Sequence, residues 1–153
     1  MRVLISITLF RDPFDSVLAE FNRRSGGHIG HASLEKFRKN GGKVWQEFAV
    51  NKGKEWERMN MDWVQNFPGP LLVILYTDLV QDTERALRRI LEFLEISVTQ
   101  EHMECVLRHK EGIYRRKKKN GNLKNHVYNS FLTSVMKKRR GRVLQYIKET
   151  NRR

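Results

Sequence analysis

The sequence has one cysteine, Cys105, so an internal disulfide and a cysteine-based zinc site are both excluded. Its neighbours Met103, Val106 and Leu107 predict a buried position on a helix for that thiol, with a packing role. No apolar run reaches the ~18 residues needed to cross a bilayer. The opening Met1-Arg2-Val3-Leu4-Ile5 has some character of a signal peptide, but Arg11 and Asp12 end the run without a small-residue cleavage site, so a strand is expected. No Gly-x-x-x-x-Gly-Lys run occurs, which tells against a small nucleotide-kinase-like protein. Acidic side chains are few: 17 Asp and Glu stand against 30 Lys and Arg, leaving a net charge of +13. That excess predicts an anionic partner, such as nucleic acid, an acidic membrane, a sulfated or sialylated glycan, or a phosphorylated cofactor.

What is present describes a globular chain. Its 153 residues suit one domain with a real core, and 39% hydrophobic with 31% charged content is far from a disordered composition. The charge is unevenly spread. Arg108, Lys110, Arg115, Arg116, Lys117, Lys118, Lys119 and Lys124 crowd one stretch, and Lys137, Lys138, Arg139, Arg140 and Arg142 form a second cluster.

The richest local pattern surrounds Arg11-Asp12-Pro13. Before it, Val3 to Phe10 is branched, apolar and of the length of a buried strand. After it, Phe14, Val17, Leu18 and Phe21 recur at i, i+3, i+4 and i+7, the spacing of an amphipathic helix. Asp12 suits the cap of that helix, Pro13 its first position and Asp15 its acidic first turn. Arg11 therefore belongs at the carboxyl end of a strand beside a helix amino terminus. Ligands bind along that edge in open α/β sheets, and anions favour such termini.

Farther on, Ser25 to Ser33 reads as a glycine-rich loop, and Leu34 to Phe37 as a short helix broken by Asn40-Gly41-Gly42. Val44, Trp45, Phe48 and Ala49 have helical core spacing, as do Trp56, Met59, Trp63 and Phe67. Pro68-Gly69-Pro70 breaks the chain before a second buried strand, Leu71 to Tyr76. Helices are expected over Thr83–Ile96, from Thr99 through Arg108, and from about Asn129 to Thr150, where Gly141 interrupts the pattern. Two strands joined by long helical crossovers predict a parallel α/β sheet, which two strands alone would make poorly; either further strands are hidden or the chain is part of a larger domain.

The segments Leu9-Phe10-Arg11-Asp12-Pro13-Phe14-Asp15 and Leu18 to Arg23, the loop Gly27 to Ala32, and Trp45, Trp56 and Trp63 occur in an order resembling the carboxyl-terminal half of a sulfotransferase domain. Leu72 to Leu79 with Asp82 and Leu91-Glu92-Phe93-Leu94, and then Glu111 to Arg116, extend the likeness over nearly the whole chain. It is strongest to the WSC-domain-containing (sialate O-) sulfotransferases. The resemblance implies a helix-rich, partial P-loop-like α/β fold, with a short parallel sheet flanked by helices and residues 1–153 forming a single, amino-terminally incomplete domain. It also implies transfer of a sulfuryl group from 3′-phosphoadenosine 5′-phosphosulfate (PAPS), without a metal, to a hydroxyl of a glycan, possible acceptors including sialic acid. Full-length relatives are Golgi membrane proteins, but the location of this chain does not follow from that. The strand–loop–helix that holds the 5′-phosphosulfate is expected upstream of Arg11 and is missing, so the chain is expected to be a truncated gene product, an isoform or a relic, with weak donor binding and little or no turnover.

By the same resemblance, Arg11 becomes a ligand of the donor's 3′-phosphate, for which its planar fork is suited. Many relatives have a serine eight residues later; here Ala19 stands there, with Ser16 and Arg23 on the same helical face as substitutes. Tyr76 corresponds to a tyrosine lying against the adenine. Arg116 to His126 loosely matches a late basic loop, in which Arg116 and Lys117 would reach the 3′-phosphate, although Lys118 replaces a glycine and Asn122-Leu123 replaces Asp-Trp. The loop for the 5′-phosphosulfate has no counterpart, and the catalytic base is unknown. His28 and His31, at i and i+3, are read as structural, loop or substrate-contact residues ahead of a role as catalytic base or as metal ligands, for which no third ligand is evident. The competing expectation is a non-enzymatic basic protein that binds nucleic acid or anionic glycans through Arg115–Lys119 and Lys137–Arg142. Against nucleic acid, there is no recognisable binding motif, and the tryptophans have core spacing instead of alternating with basic residues.

Overall fold

The computed structural model describes residues 4–111 and 123–150. They divide into two compact units, one of residues 4–11 with 66–111 and the other of residues 12–65 with 123–150.

The first unit carries the sheet. Strands β1 (Ser6–Phe10) and β2 (Leu71–Leu75) pair in parallel, with Ser6 opposite Leu71 and Phe10 opposite Leu75. The parallel α/β expectation is therefore met, and two strands form the sheet among the described residues. Val73 and Ile74 are buried, but β1 is not the fully buried strand that its composition predicts: Ile7 and Leu9 are 37% and 48% exposed. Side chains alternate across a sheet, so one face of β1 is open.

The second strand ends one residue sooner than expected. Tyr76 opens a short helix, α4 (Tyr76–Gln81), which apolar patterning did not announce. Asp82 ends α4 and caps α5 (Thr83–Phe93), its carboxylate accepting from the Arg85 amide at 3.0 Å. The expected continuation of α5 to Ile96 is overturned by a left-handed turn: Glu95 has φ 56°, and the Ile96 amide donates back to the Leu91 carbonyl. Thr99 caps α6 (Gln100–Arg108) as predicted, accepting from the His102 amide. Cys105 lies on that helix but is exposed, not buried. The inward positions are Met103 and Leu107, one turn apart, and Cys105 falls between them on the outer side.

The second unit holds a larger core. Helix α1 (Pro13–Gly26) starts as expected, Asp12 accepting from the Phe14 amide at 2.9 Å, but continues two residues into the expected loop. Helix α2 (Leu34–Arg38) is followed by a 3-10 turn, in which Asn40, Gly41 and Gly42 take positive φ. The twin glycines supply this turn without the steric cost borne by a larger residue. Helix α3 (Lys43–Asn66) joins both tryptophan-bearing segments into 24 continuous residues. Trp45 and Trp56 are buried as their spacing predicts, but Met59 and Trp63 are exposed; the buried positions of α3 are Trp45, Ala49, Gly53, Trp56 and Asn60.

The core gathers Val17 and Phe21 of α1, Phe37, Trp45, Ala49, and Val127, Tyr128, Leu132 and Met136. Val127 closes α7 (Leu123–Val127), while Leu132 and Met136 belong to α8 (Ser130–Thr150). Trp45 donates its indole N–H to the Val127 carbonyl at 2.7 Å, leaving this buried polar atom satisfied. Gly141 does not break α8. Its site is exposed, and Leu132, Met136, Val143 and Ile147 continue the buried stripe past it. None of the helices among the described residues is long and apolar enough to cross a membrane.

Candidate functional site

Arg11 directly follows β1, and Tyr76 directly follows β2. Since Phe10 is registered against Leu75, the next residues on the two strands are neighbours. The Arg11 guanidinium carbon lies over the Tyr76 ring, 4.7 Å from its centroid. Both side chains are half-buried. A guanidinium in this position is attracted by the negative face of the ring, and its planar N–H groups have the fork geometry that suits a planar or tetrahedral oxyanion. The resemblance assigns Tyr76 to the adenine; within this unit the ring's observed partner is Arg11.

Asp12 begins the other unit, where the first turn of α1 is held from three directions. The Asp12 carboxylate accepts from the Phe14 amide through one oxygen and from the Arg140 guanidinium through the other, at 2.8 Å. The Lys124 ammonium pairs with Asp15 at 2.5 Å. The Tyr128 hydroxyl donates to the Phe14 carbonyl at 2.8 Å, and the two rings meet edge to face. Burial raises the Tyr128 phenol well above its ordinary range, and the Asp15 and Asp12 charges add to that rise. Lys124 lies in the late basic segment, and Arg140 in the second basic cluster. Neither role carries a local sequence signal, because each joins residues more than a hundred positions apart.

Ser16 sits in the same turn, its hydroxyl donating to the Asp12 carbonyl at 3.0 Å. It also lines an open cleft of about 880 Å³ between α1 and α3, with Val17, Glu20, Trp56 and Met59. Arg23 lies eleven residues beyond the cap, roughly 16 Å along the helix axis. Its guanidinium grips Glu20 through two hydrogen bonds of 2.7 and 2.8 Å. Those bonds, aided by Arg24, hold the Glu20 carboxyl down at about 2 against the opposing effect of burial. Arg116 and Lys117, and most of the basic loop, lie outside the described residues.

In the second basic cluster, Arg139 and Arg142 both engage Glu57 on α3, and Arg140 engages Asp12. Three of its five cations are thus paired with carboxylates of the unit, although Arg142, like Lys137 and Lys138, is exposed. The histidine loop is a tight closure: a Cβ on Gly30 would fall 2.0 Å from the Gly26 carbonyl oxygen, so this position requires glycine. Asn22, buried, anchors the loop by accepting from the Ala32 amide at 2.9 Å. No group of three metal-ligating side chains occurs among the described residues.

Comparison with known proteins adds a family. The pattern described as "Sulfotransferase family" matches residues 5–100. WSCD family members from Drosophila melanogaster and Drosophila pseudoobscura pseudoobscura are 51% and 52% identical over 114 residues, and one from Aedes aegypti is 48% identical over the same length. Each alignment covers 74% of this chain and 36% of the relative, so the chain spans about a third of the length of the curated relatives it matches. No solved structure matches.

Proposed function

This chain belongs to the sulfotransferase family, and from that premise we propose that it carries the 3′-phosphate half of a PAPS site in an enzyme that sulfates a glycan hydroxyl. The observation that carries the reading is the Arg11 guanidinium over the Tyr76 ring at the carboxyl ends of two paired strands. A doubly charged phosphate needs fixed cationic donors, and a preoriented fork loses little freedom on binding.

The residues fit the donor's 3′-phosphate end. Arg11 would hold that phosphate, with Ser16, Arg116 and Lys117 proposed as further contacts. Ser16 would have to turn its hydroxyl from the Asp12 carbonyl to do so. Arg23 would have to exchange its Glu20 pair for phosphate. The bound donor supplies the sulfuryl group, whose sulfur–oxygen bond to phosphate breaks as a bond to the acceptor oxygen forms. Arg11, acting remotely from that sulfur, binds and orients the donor; it does not take a proton. No residue of this chain is assigned as the base, and a metal is not proposed.

Calorimetric binding of 3′-phosphoadenosine 5′-phosphate, with ADP and Arg11→Ala as controls, tests this. At least tenfold preference for the 3′-phosphorylated nucleotide, abolished by Arg11→Ala, is expected. Equal binding of both nucleotides and of unrelated polyanions, falling steeply with salt, would favour the second reading, a general polyanion binder. The net charge of +13 favours that second reading. The commitment of Arg139, Arg140 and Arg142 to intrachain carboxylates weakens it.

A further inference from the structure

We propose that Tyr76 is a positioning residue for Arg11, selecting for the 3′-phosphate, and not a platform for adenine. This rests on the donor-site reading above and assigns Tyr76 a different task within it. The guanidinium covers one face of the Tyr76 ring at 4.7 Å, so that face is already occupied. The ring itself is well anchored. Its backbone is the first turn of α4, immediately after a strand whose register against β1 is set by five paired positions.

An arginine at the end of a strand otherwise has several rotatable bonds and many orientations for its fork. Stacking on a fixed ring removes most of them and sets the plane of the guanidinium. The ring thereby fixes the plane in which two parallel N–H···O bonds can reach one phosphate. Such a device acts on whatever Arg11 binds. It should therefore govern discrimination between nucleotides with and without a 3′-phosphate, and leave the adenine and 5′-phosphate contributions alone.

The test compares 3′-phosphoadenosine 5′-phosphate with AMP by calorimetry on the full 153-residue chain, as wild type, Tyr76→Phe and Tyr76→Leu. Tyr76→Phe keeps the ring and should preserve the preference. Tyr76→Leu should weaken the 3′-phosphorylated nucleotide roughly five- to tenfold, the range of a partly desolvated cation–π contact, and leave AMP within twofold. In an Arg11→Met background the same Tyr76→Leu change should have no further effect on either ligand. Equal weakening of both nucleotides by Tyr76→Leu, or an undiminished loss in the Arg11→Met background, would overturn the proposal in favour of an adenine contact. No effect on either ligand would overturn it too. A wild type without preference for the 3′-phosphate would instead defeat the donor-site reading itself. Thermal melting checks each variant, and Tyr76→Gln, planar and polar at a half-buried position, gives the same comparison if the leucine variant does not fold.

Discussion

Asp12 and Arg140, 128 residues apart in sequence, form an ion pair of 2.8 Å. The same carboxylate caps α1, so one side chain fastens the start of the second unit to its last helix. The two tasks can be separated. Asp12→Asn keeps a capping oxygen and loses the ion pair, and should cost about 0.5–1 kcal/mol. Asp12→Ala loses both and should cost about 1–2 kcal/mol. Urea unfolding of these variants, with Arg140→Met closing a double-mutant cycle, reads the coupling. If Asp12→Asn is as harmful as Asp12→Ala, the cap contributes little and the pair dominates.

Glu57 predicts an acid-sensitive seam. Its carboxylate, 15% exposed, is gripped by Arg142 and Arg139. The Arg142 hydrogen bond is the main cause of its lowered pKa, burial opposes it, and Arg139 adds to the lowering. Because the folded value is depressed, the stabilisation is present above the ordinary carboxylate range and is lost as pH falls through the folded value. Glu57→Gln should cost about 2 kcal/mol near pH 7, since it leaves Arg139 largely buried without its charge partner. The gap from wild type should close progressively below about pH 4. Melting curves across that range decide; a gap that is constant with pH would mean that packing and not charge holds the seam.

Gly141 is a helical glycine in open space on the exposed side of α8. Gly141→Ala should stabilise the chain by about 0.5–1 kcal/mol, because alanine has less backbone freedom to lose. The melting temperature should rise by about 2–4 °C. A fall would mean that α8 does not run straight through this position in solution.

The open face of β1 has a physical consequence. Ile5, Ile7 and Leu9 alternate along one side and are each well exposed. Contiguous apolar surface on a short strand promotes self-association. Ile7→Thr with Leu9→Thr should keep the chain monomeric to higher concentration in sedimentation experiments without lowering its melting temperature. Unchanged association would place the sticky surface elsewhere.

Much of the first turn of the candidate site was legible locally. Asp12, Pro13 and Asp15 announce a helix start by their own chemistry, and the branched run before them announces a strand. So did the break at Asn40-Gly41-Gly42, where only a chain that tolerates positive φ can turn. Local pattern failed where the deciding force was remote or silent. Cys105 has apolar neighbours but points outward, because burial depends on which turn of α6 meets its neighbours. Helix α5 ends early through Glu95, a residue with no preference for the left-handed turn it adopts. Gly141 looked like an interruption, but the stripe from Leu132 to Ile147 carries the helix across it.

By itself, the sequence determined the alternation of strand and helix, the basic charge, the caps, and the presence of an arginine at a strand end, since these follow from backbone preference and periodicity within a few neighbouring residues. Only the tertiary structure decided what those residues face. Parallel pairing at Phe10 and Leu75 puts Tyr76 under Arg11, and the return of α8 brings Arg140 to Asp12 and Arg139 and Arg142 to Glu57. Contacts between residues tens to more than a hundred positions apart depend on strand register and helix packing, which no local stretch of sequence encodes.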